Sequence, residues 1–223
     1  MDSWLLSVRQ RVPILADTQC EMEAIDLERA VRVLENGGVI VIPTDTLYGL
    51  AADVFNIAAI DRVFDIKGRP EGLALPVLVS GWEQVAKTAK NVPPQAQALA
   101  ERFWPGALTM VVAKAAGLPD RLTARGPTVA VRMPDHSTPI QLINGLGGPI
   151  TGTSANISGG ADPSTLAELT DQLGGHVAHI FNEGPTPKGT ASTVVDITSG
   201  EPKLLREGAI PFEQVLQTWQ TAK

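Results

Sequence analysis

Apolar residues recur along this chain with two spacings, and stretches of the two alternate. Between Glu23 and Asn36, Leu27, Ala30, Val31 and Leu34 fall at i, i+3, i+4 and i+7, one face of a helix that Gly37 closes. The unbroken run Val39 to Ile42 predicts a strand buried between other layers. Asn56 is placed to cap a helix carrying Ile57, Ile60, Val63 and Phe64 inward. Leu75 to Val79 predicts a short buried strand, Ser80 or Gly81 the start of another helix, and Pro93-Pro94 the first turn of one ending near Phe103. Strands are expected over Leu108 to Ala113 and Thr128 to Met133, then a helix around Thr138 to Asn144. Ser164 is expected to cap a helix with Leu166, Leu169 and Leu173 on its inner face. Ile180-Phe181, Ser192 to Ile197 and Lys203 to Arg206 read as strands, and Phe212 to Trp219 as a helix. Mixed along the whole length, these elements predict an α/β (α+β) fold around a twisted sheet of roughly seven or more strands. Residues 1–20 have no clear period and are expected to form a loosely attached arm, with 21–210 the main domain and 211–223 a helical tail.

Several polar clusters interrupt the apolar pattern. Thr44, Asp45, Thr46 and Tyr48 sit between two apolar segments, where unpartnered polar groups are costly to bury. They form either a satisfied turn or part of a site. Lys67-Gly68-Arg69 closes a predicted helix, where cations suit the negative pole, or alternatively clamp a phosphate. Arg132 ends the apolar strand Thr128-Val129-Ala130-Val131 and requires an anion, either an internal carboxylate or a ligand's. Thr151 to Ser158 sets hydroxyls and an amide on a turn of small residues. Ser192 and Arg206 add a hydroxyl and a cation on later strands.

Composition narrows the partners. With 223 residues, 43% hydrophobic and 19% charged, the chain has enough length for a real core, and no run reaches membrane-spanning length. One cysteine, Cys20, excludes an internal disulfide and a multi-cysteine zinc site. Three histidines make a histidine-rich metal site improbable, and no protein metal site is expected. Together with the absence of a signal-peptide pattern, this points to an intracellular, cytoplasmic location. The net charge of −6 argues against a broad nucleic-acid surface, although residues 87–132 carry seven Lys/Arg against Glu101 and Asp120. The phosphate-loop and dinucleotide glycine motifs are absent.

The motifs P-T-D-T-x-Y-G-L, K-x-R-P, F-W-P-G-x-L-T, V-x-V-R-x-P, S-A-N-x-S-G, S-T-V-V-D and L-x-R-x-G-A-I occur here in that order. Over about Glu23 to Ile210 the chain therefore resembles the YrdC-like family, the threonylcarbamoyl-AMP synthases. The resemblance implies a strongly twisted mixed sheet forming an open-barrel-like concave cavity with helices around it. It implies that L-threonine, bicarbonate and ATP give threonylcarbamoyl-AMP and pyrophosphate. A separate transferase complex would then modify an adenosine next to the anticodon of tRNA. Lys67, Arg69, Ser154 and Asn156 match the family's catalytic tetrad, which holds the ATP phosphates, and Thr128 and Arg206 match nucleotide-binding positions. Thr46, Arg132, Gly152 and Ser192 match the threonine pocket, with Arg132 on the amino-acid carboxylate. Mg2+ is implied by the triphosphate.

Leu73 and Asp162 depart from the pattern, standing where relatives commonly carry an asparagine or lysine and a serine. The chain also ends soon after Ile210, which implies a short form without a further C-terminal domain. The tail is expected to lie over part of the cavity mouth. Two rival readings stand beside this one. One is an RNA-binding module of the same fold, with weak tRNA or double-stranded RNA contact. The other is a carbamoyl-adenylate enzyme fed by carbamoyl phosphate, which one cysteine disfavours because such chains carry zinc fingers.

Overall fold

The computed structural model describes residues 26–181 and 184–222; the expected N-terminal arm lies outside them. Helix α1 (26–35) buries Ala30 and Leu34, as its period predicts. The strands β1 (Ile40–Ile42) and β2 (Gly49–Ala51) pair antiparallel across the polar turn. On β1, Val41 enters the main core while Ile40 and Ile42 enter a smaller one beneath α1. That burial on both faces explains a strand with no polar position. Helix α2 (Ile57–Lys67) begins on Asn56, whose side chain accepts from the Ala59 amide at 3.1 Å. It ends on Gly68, whose left-handed φ of 55° suits glycine.

Next come β3 (Val77–Leu78), a 3-10 turn over Trp82–Gln84, α3 (Val85–Thr88), α4 (Pro94–Phe103), β4 (Leu108–Ala113) and β5 (Thr128–Arg132). The helix expected from Ser80 or Gly81 is thus a 3-10 turn leading into a single α-helical turn, and Gly81 provides no side-chain cap. Helix α5 (Ser137–Leu146) precedes β6 (Ile150–Thr151) and β7 (Thr153–Ser154). Helix α6 (Leu166–Leu173) is capped by Thr165 rather than Ser164. The Thr165 hydroxyl accepts from the Glu168 amide at 3.2 Å and the Glu168 carboxylate accepts from the Thr165 amide at 3.2 Å, a reciprocal capping box. Strands β8 (His179–Ile180), β9 (Thr193–Asp196) and β10 (Lys203–Arg206) and helix α7 (Phe212–Thr221) complete the order. No helix among the described residues is long and apolar enough to cross a membrane.

The strands divide into two mixed sheets, where the sequence pattern had suggested one. Their orders are β7-β2-β1-β8 and β10-β9-β4-β5-β3-β6. The chain crosses between them at Gly152, leaving β6 in one sheet and starting β7 in the other. A Cβ at Gly152 would lie 2.5 Å from Leu78 Cγ, so this crossover needs the smallest residue. An isolated bridge from Asp53 to Ile150 ties the sheets together beside it. The concave face between them is open, with helices outside.

Helix α7 packs against α4 with Val215 and Trp219 buried in the main core, and it contributes no residue to the cavity described below. The tail expected at the cavity mouth is therefore a core-packing element. Trp219 is 1% exposed. Trp219→Ala is expected to lower the unfolding free energy by about 3–5 kcal/mol, read from urea denaturation; a change below 1 kcal/mol, on the order of an exposed site, would contradict this packing role.

Candidate active site

The concave face holds a cavity of about 390 Å³, within the range of small-molecule sites. Arg132 lines it. The strand buries its side chain, and the partner that burial demands is internal: Nη2 donates to Asp45 Oδ1. Nε donates to the Gly106 carbonyl at 2.8 Å, and Nη1 to the Thr46 hydroxyl at 2.7 Å. A guanidinium has five N–H groups, so one on Nη1 and one on Nη2 stay uncommitted among the described residues. Asp45 Oδ1 also accepts from the Asp135 amide at 3.0 Å. The turn between β1 and β2 is thereby both a satisfied turn and the seat of a cation.

Arg69, Ser154 and Arg206 also line the cavity, with Arg206 near enough to Arg132 for its charge to act on it. Gly68 reverses the chain so that Arg69 leaves α2 toward the cavity, where Nε and Nη2 donate to the Leu73 and Ala74 carbonyls at 3.1 and 2.9 Å. Arg206 donates through Nε and Nη2 to the Ser192 carbonyl, and Nη2 also reaches the Ser192 hydroxyl at 3.1 Å. Burial lowers the pKa of Arg69, Arg132 and Arg206 from the usual arginine value. All three remain cations.

Lys67 occupies a different place from its neighbour. It is 1% exposed, and its ammonium donates to the Ser154 carbonyl, to the Asn156 carbonyl at 2.7 Å and to Asn156 Oδ1 at 2.9 Å. All three protons are therefore committed to the turn after β7. The Ser154 hydroxyl donates to the same Oδ1 at 2.7 Å, and Asn156 Nδ2 to the Gly160 carbonyl at 2.7 Å. Desolvation first, and the Arg69 charge second, lower the Lys67 pKa to about 8, against an opposing pull from Asp162. Lys67 and Asn156 shape the cavity from behind; Ser154 faces it.

Thr46, Arg69, Arg132, Gly152, Ser154, Ser192 and Arg206 thus share one cavity. Thr128 lies on the same face of β5 as Ala130 and Arg132, both of which line the cavity, but two positions beyond Ala130 and outside the lining. Thr109 was missed as a site residue. It is the closing threonine of F-W-P-G-x-L-T, it lines the cavity, and its hydroxyl lies 2.8 Å from that of Ser192. Of the departures, Asp162 lines the cavity, while Leu73 contributes its carbonyl to Arg69 and exposes its side chain. The basic stretch 87–132 disperses: Lys114 pairs with Asp120, Arg121 with Asp61 and Glu71, and Arg132 is internal.

The Sua5/YciO/YrdC family model, described as telomere recombination, matches residues 32–208. The chain belongs to that family. It is 37% identical over 202 residues to the threonylcarbamoyl-AMP synthase of Pyrococcus abyssi, covering 91% of this chain and 59% of that one. It is 36% identical over 197 residues to a putative threonylcarbamoyl-AMP synthase of Mycobacterium tuberculosis, covering 88% and 90%. The structure of P. abyssi Sua5 complexed with L-threonine superposes with a TM-score of 0.84 at 37% identity, over 87% of this chain and 57% of that chain. The match thus reaches well short of the archaeal relative's length and close to the full mycobacterial one.

The Asp45–Arg132 pair supports a direct stability prediction. Both side chains are 8% exposed, so removing one leaves the other charge buried alone. Asp45→Ala is expected to cost about 3–5 kcal/mol of unfolding free energy, measured by denaturant titration. A loss under 1 kcal/mol, the scale of an exposed pair, would show that water replaces the carboxylate.

Proposed function

We propose that this chain is a threonylcarbamoyl-AMP synthase. The observation that carries the reading is one cavity lined by three arginines, whose cations can receive two anions. Arg132 beside Thr46 offers two uncommitted N–H groups, and Arg69, Arg206 and Ser154 line the same cavity. The names of the relatives agree with it, as does the threonine bound in a similar structure.

In this reading the threonine carboxylate takes the free N–H groups of Arg132, which Asp45 and Gly106 already hold in orientation. The threonine amine captures carbon dioxide from bicarbonate as a carbamate. A carbamate oxygen attacks the α-phosphorus of ATP, the bond to the bridging oxygen breaks, and pyrophosphate leaves with the electron pair. No side chain acts as nucleophile. The protein holds two anions within reach of each other and neutralises the charge developing on pyrophosphate. Arg69 and Arg206 do this by contact, and Lys67 by its charge behind the 154–156 turn. The described residues contain no group of three His, Cys, Asp or Glu suited to a metal. The donor set therefore fits magnesium carried in by the triphosphate, held largely by phosphate and water, where it screens the phosphate charge. The product is passed to a separate transferase acting on tRNA.

The test is pyrophosphate release from ATP and bicarbonate with L-threonine, with serine, or with neither. Threonine-dependent release is expected; its absence would defeat the proposal. A charge-assisted hydrogen bond is worth about 1.5–3 kcal/mol, or about 10- to 150-fold in affinity. Arg69→Ala should lose that much mainly in ATP binding and Arg132→Ala mainly in threonine binding. Equal losses of both ligands in each variant would contradict this assignment of the two arginines.

Lys67 gives the site a pH dependence. Its pKa is lowered to about 8, so the ammonium is fully present below that pH and is lost as the pH rises through it. A bound triphosphate favours the charged form. ATP affinity, followed by calorimetry, is expected to hold below about pH 8 and fall above it. Lys67→Met should give weaker binding with a flat profile, and a fall that persists in the variant would assign the titration to another group.

A further inference from the structure

Among the described residues, only one of those lining the cavity carries a carboxylate, Asp162. It lies in the segment between the Ser154–Asn156 turn and α6, is exposed, and makes no hydrogen bond or ion pair among the described residues. The other charged groups at the cavity are all tied down. Arg69 is held by the Leu73 and Ala74 carbonyls, Arg206 by Ser192, Arg132 by Asp45, and Lys67 by the turn. Asp162 nevertheless stands close enough to favour the charged forms of both Lys67 and Arg206. A carboxylate without a hydrogen-bond partner thus stands in the cavity near two of the cations that the ATP reading assigns to phosphates.

Such a group acts in opposite directions on the two forms of a nucleoside triphosphate. A metal-free triphosphate meets a like charge at short range and is repelled. A triphosphate carrying magnesium meets an oxygen ligand of the kind this ion takes, one or two carboxylates completing a shell of phosphate oxygens and water. We infer that Asp162 makes this cavity selective for the metal-complexed triphosphate, ligating its magnesium and repelling the uncomplexed nucleotide. The inference rests on the ATP reading above and adds to it a residue that sets which form of the nucleotide is accepted.

The readout is binding rather than turnover. ATP is titrated calorimetrically into the wild type, Asp162→Ser, Asp162→Asn and Asp162→Glu, once in EDTA and once in excess Mg2+. The quantity read is the ratio of the metal-free to the magnesium Kd. Removing the carboxylate is expected to weaken the magnesium complex, tighten metal-free binding and lower the ratio by about tenfold. Asp162→Glu should restore most of it. A ratio within twofold of the wild type in both neutral variants overturns the inference. Equal tightening in both media also overturns it, since it leaves Asp162 as a general repeller only. A wild-type protein that binds ATP in neither medium defeats the ATP reading itself, whereas ATP binding with an unaltered ratio defeats the role of Asp162 alone.

Discussion

A guanidinium at the inner end of a buried strand must be neutralised where it stands, and much of this site follows from that requirement. Arg132 belongs to the six-stranded sheet, while its carboxylate, Asp45, belongs to the turn between two strands of the four-stranded one. The pair therefore bonds one sheet to the other across the concave face. Gly106 on the approach to β4 and Thr46 on the turn complete the arrangement. A buried pair of this kind adds little net stability compared with apolar packing, but breaking it is expensive. Its value lies in fixing the relative position of two elements that are far apart in sequence. Lys67 repeats the device elsewhere, joining the end of α2 to the turn after β7 through three oxygens.

What the sequence disclosed follows from the range of the interactions concerned. The start of α2 was legible because Asn56 bonds only three residues ahead. The burial of Arg132 was legible because its strand neighbours are apolar. Asp45 could not be named as its partner, since 87 residues separate them and nothing local links the two. The same distance hid the place of Lys67: a lysine at a helix end suits the helix's negative pole, and only the folded turn supplies acceptors that draw it inward. The two-sheet division was hidden for a related reason. Strands of two or three residues, such as β3, β6 and β7, are too short to show a period, and the switch at Gly152 depends on how close Leu78 comes. Ser164 and Thr165 are both good caps next to one another. The backbone conformation at Thr165 decides between them.

The cavity's cations share one feature that composition conceals. In a chain of net charge −6 they are not a diffuse basic surface. Each is anchored by carbonyl oxygens before any anion arrives: Arg69 by Leu73 and Ala74, Arg206 by Ser192, Arg132 by Gly106, Lys67 by Ser154 and Asn156. A free arginine or lysine side chain gives up about 2 kcal/mol of rotamer entropy when a ligand immobilises it. Here that ordering accompanies folding, so binding energy is not drained by it. The same anchors limit how far a cation can follow a misplaced ligand. A site built this way discriminates by position as well as by charge, as the proposed reaction between two bound anions would require: both must be attracted, and neither can be allowed to drift from the other.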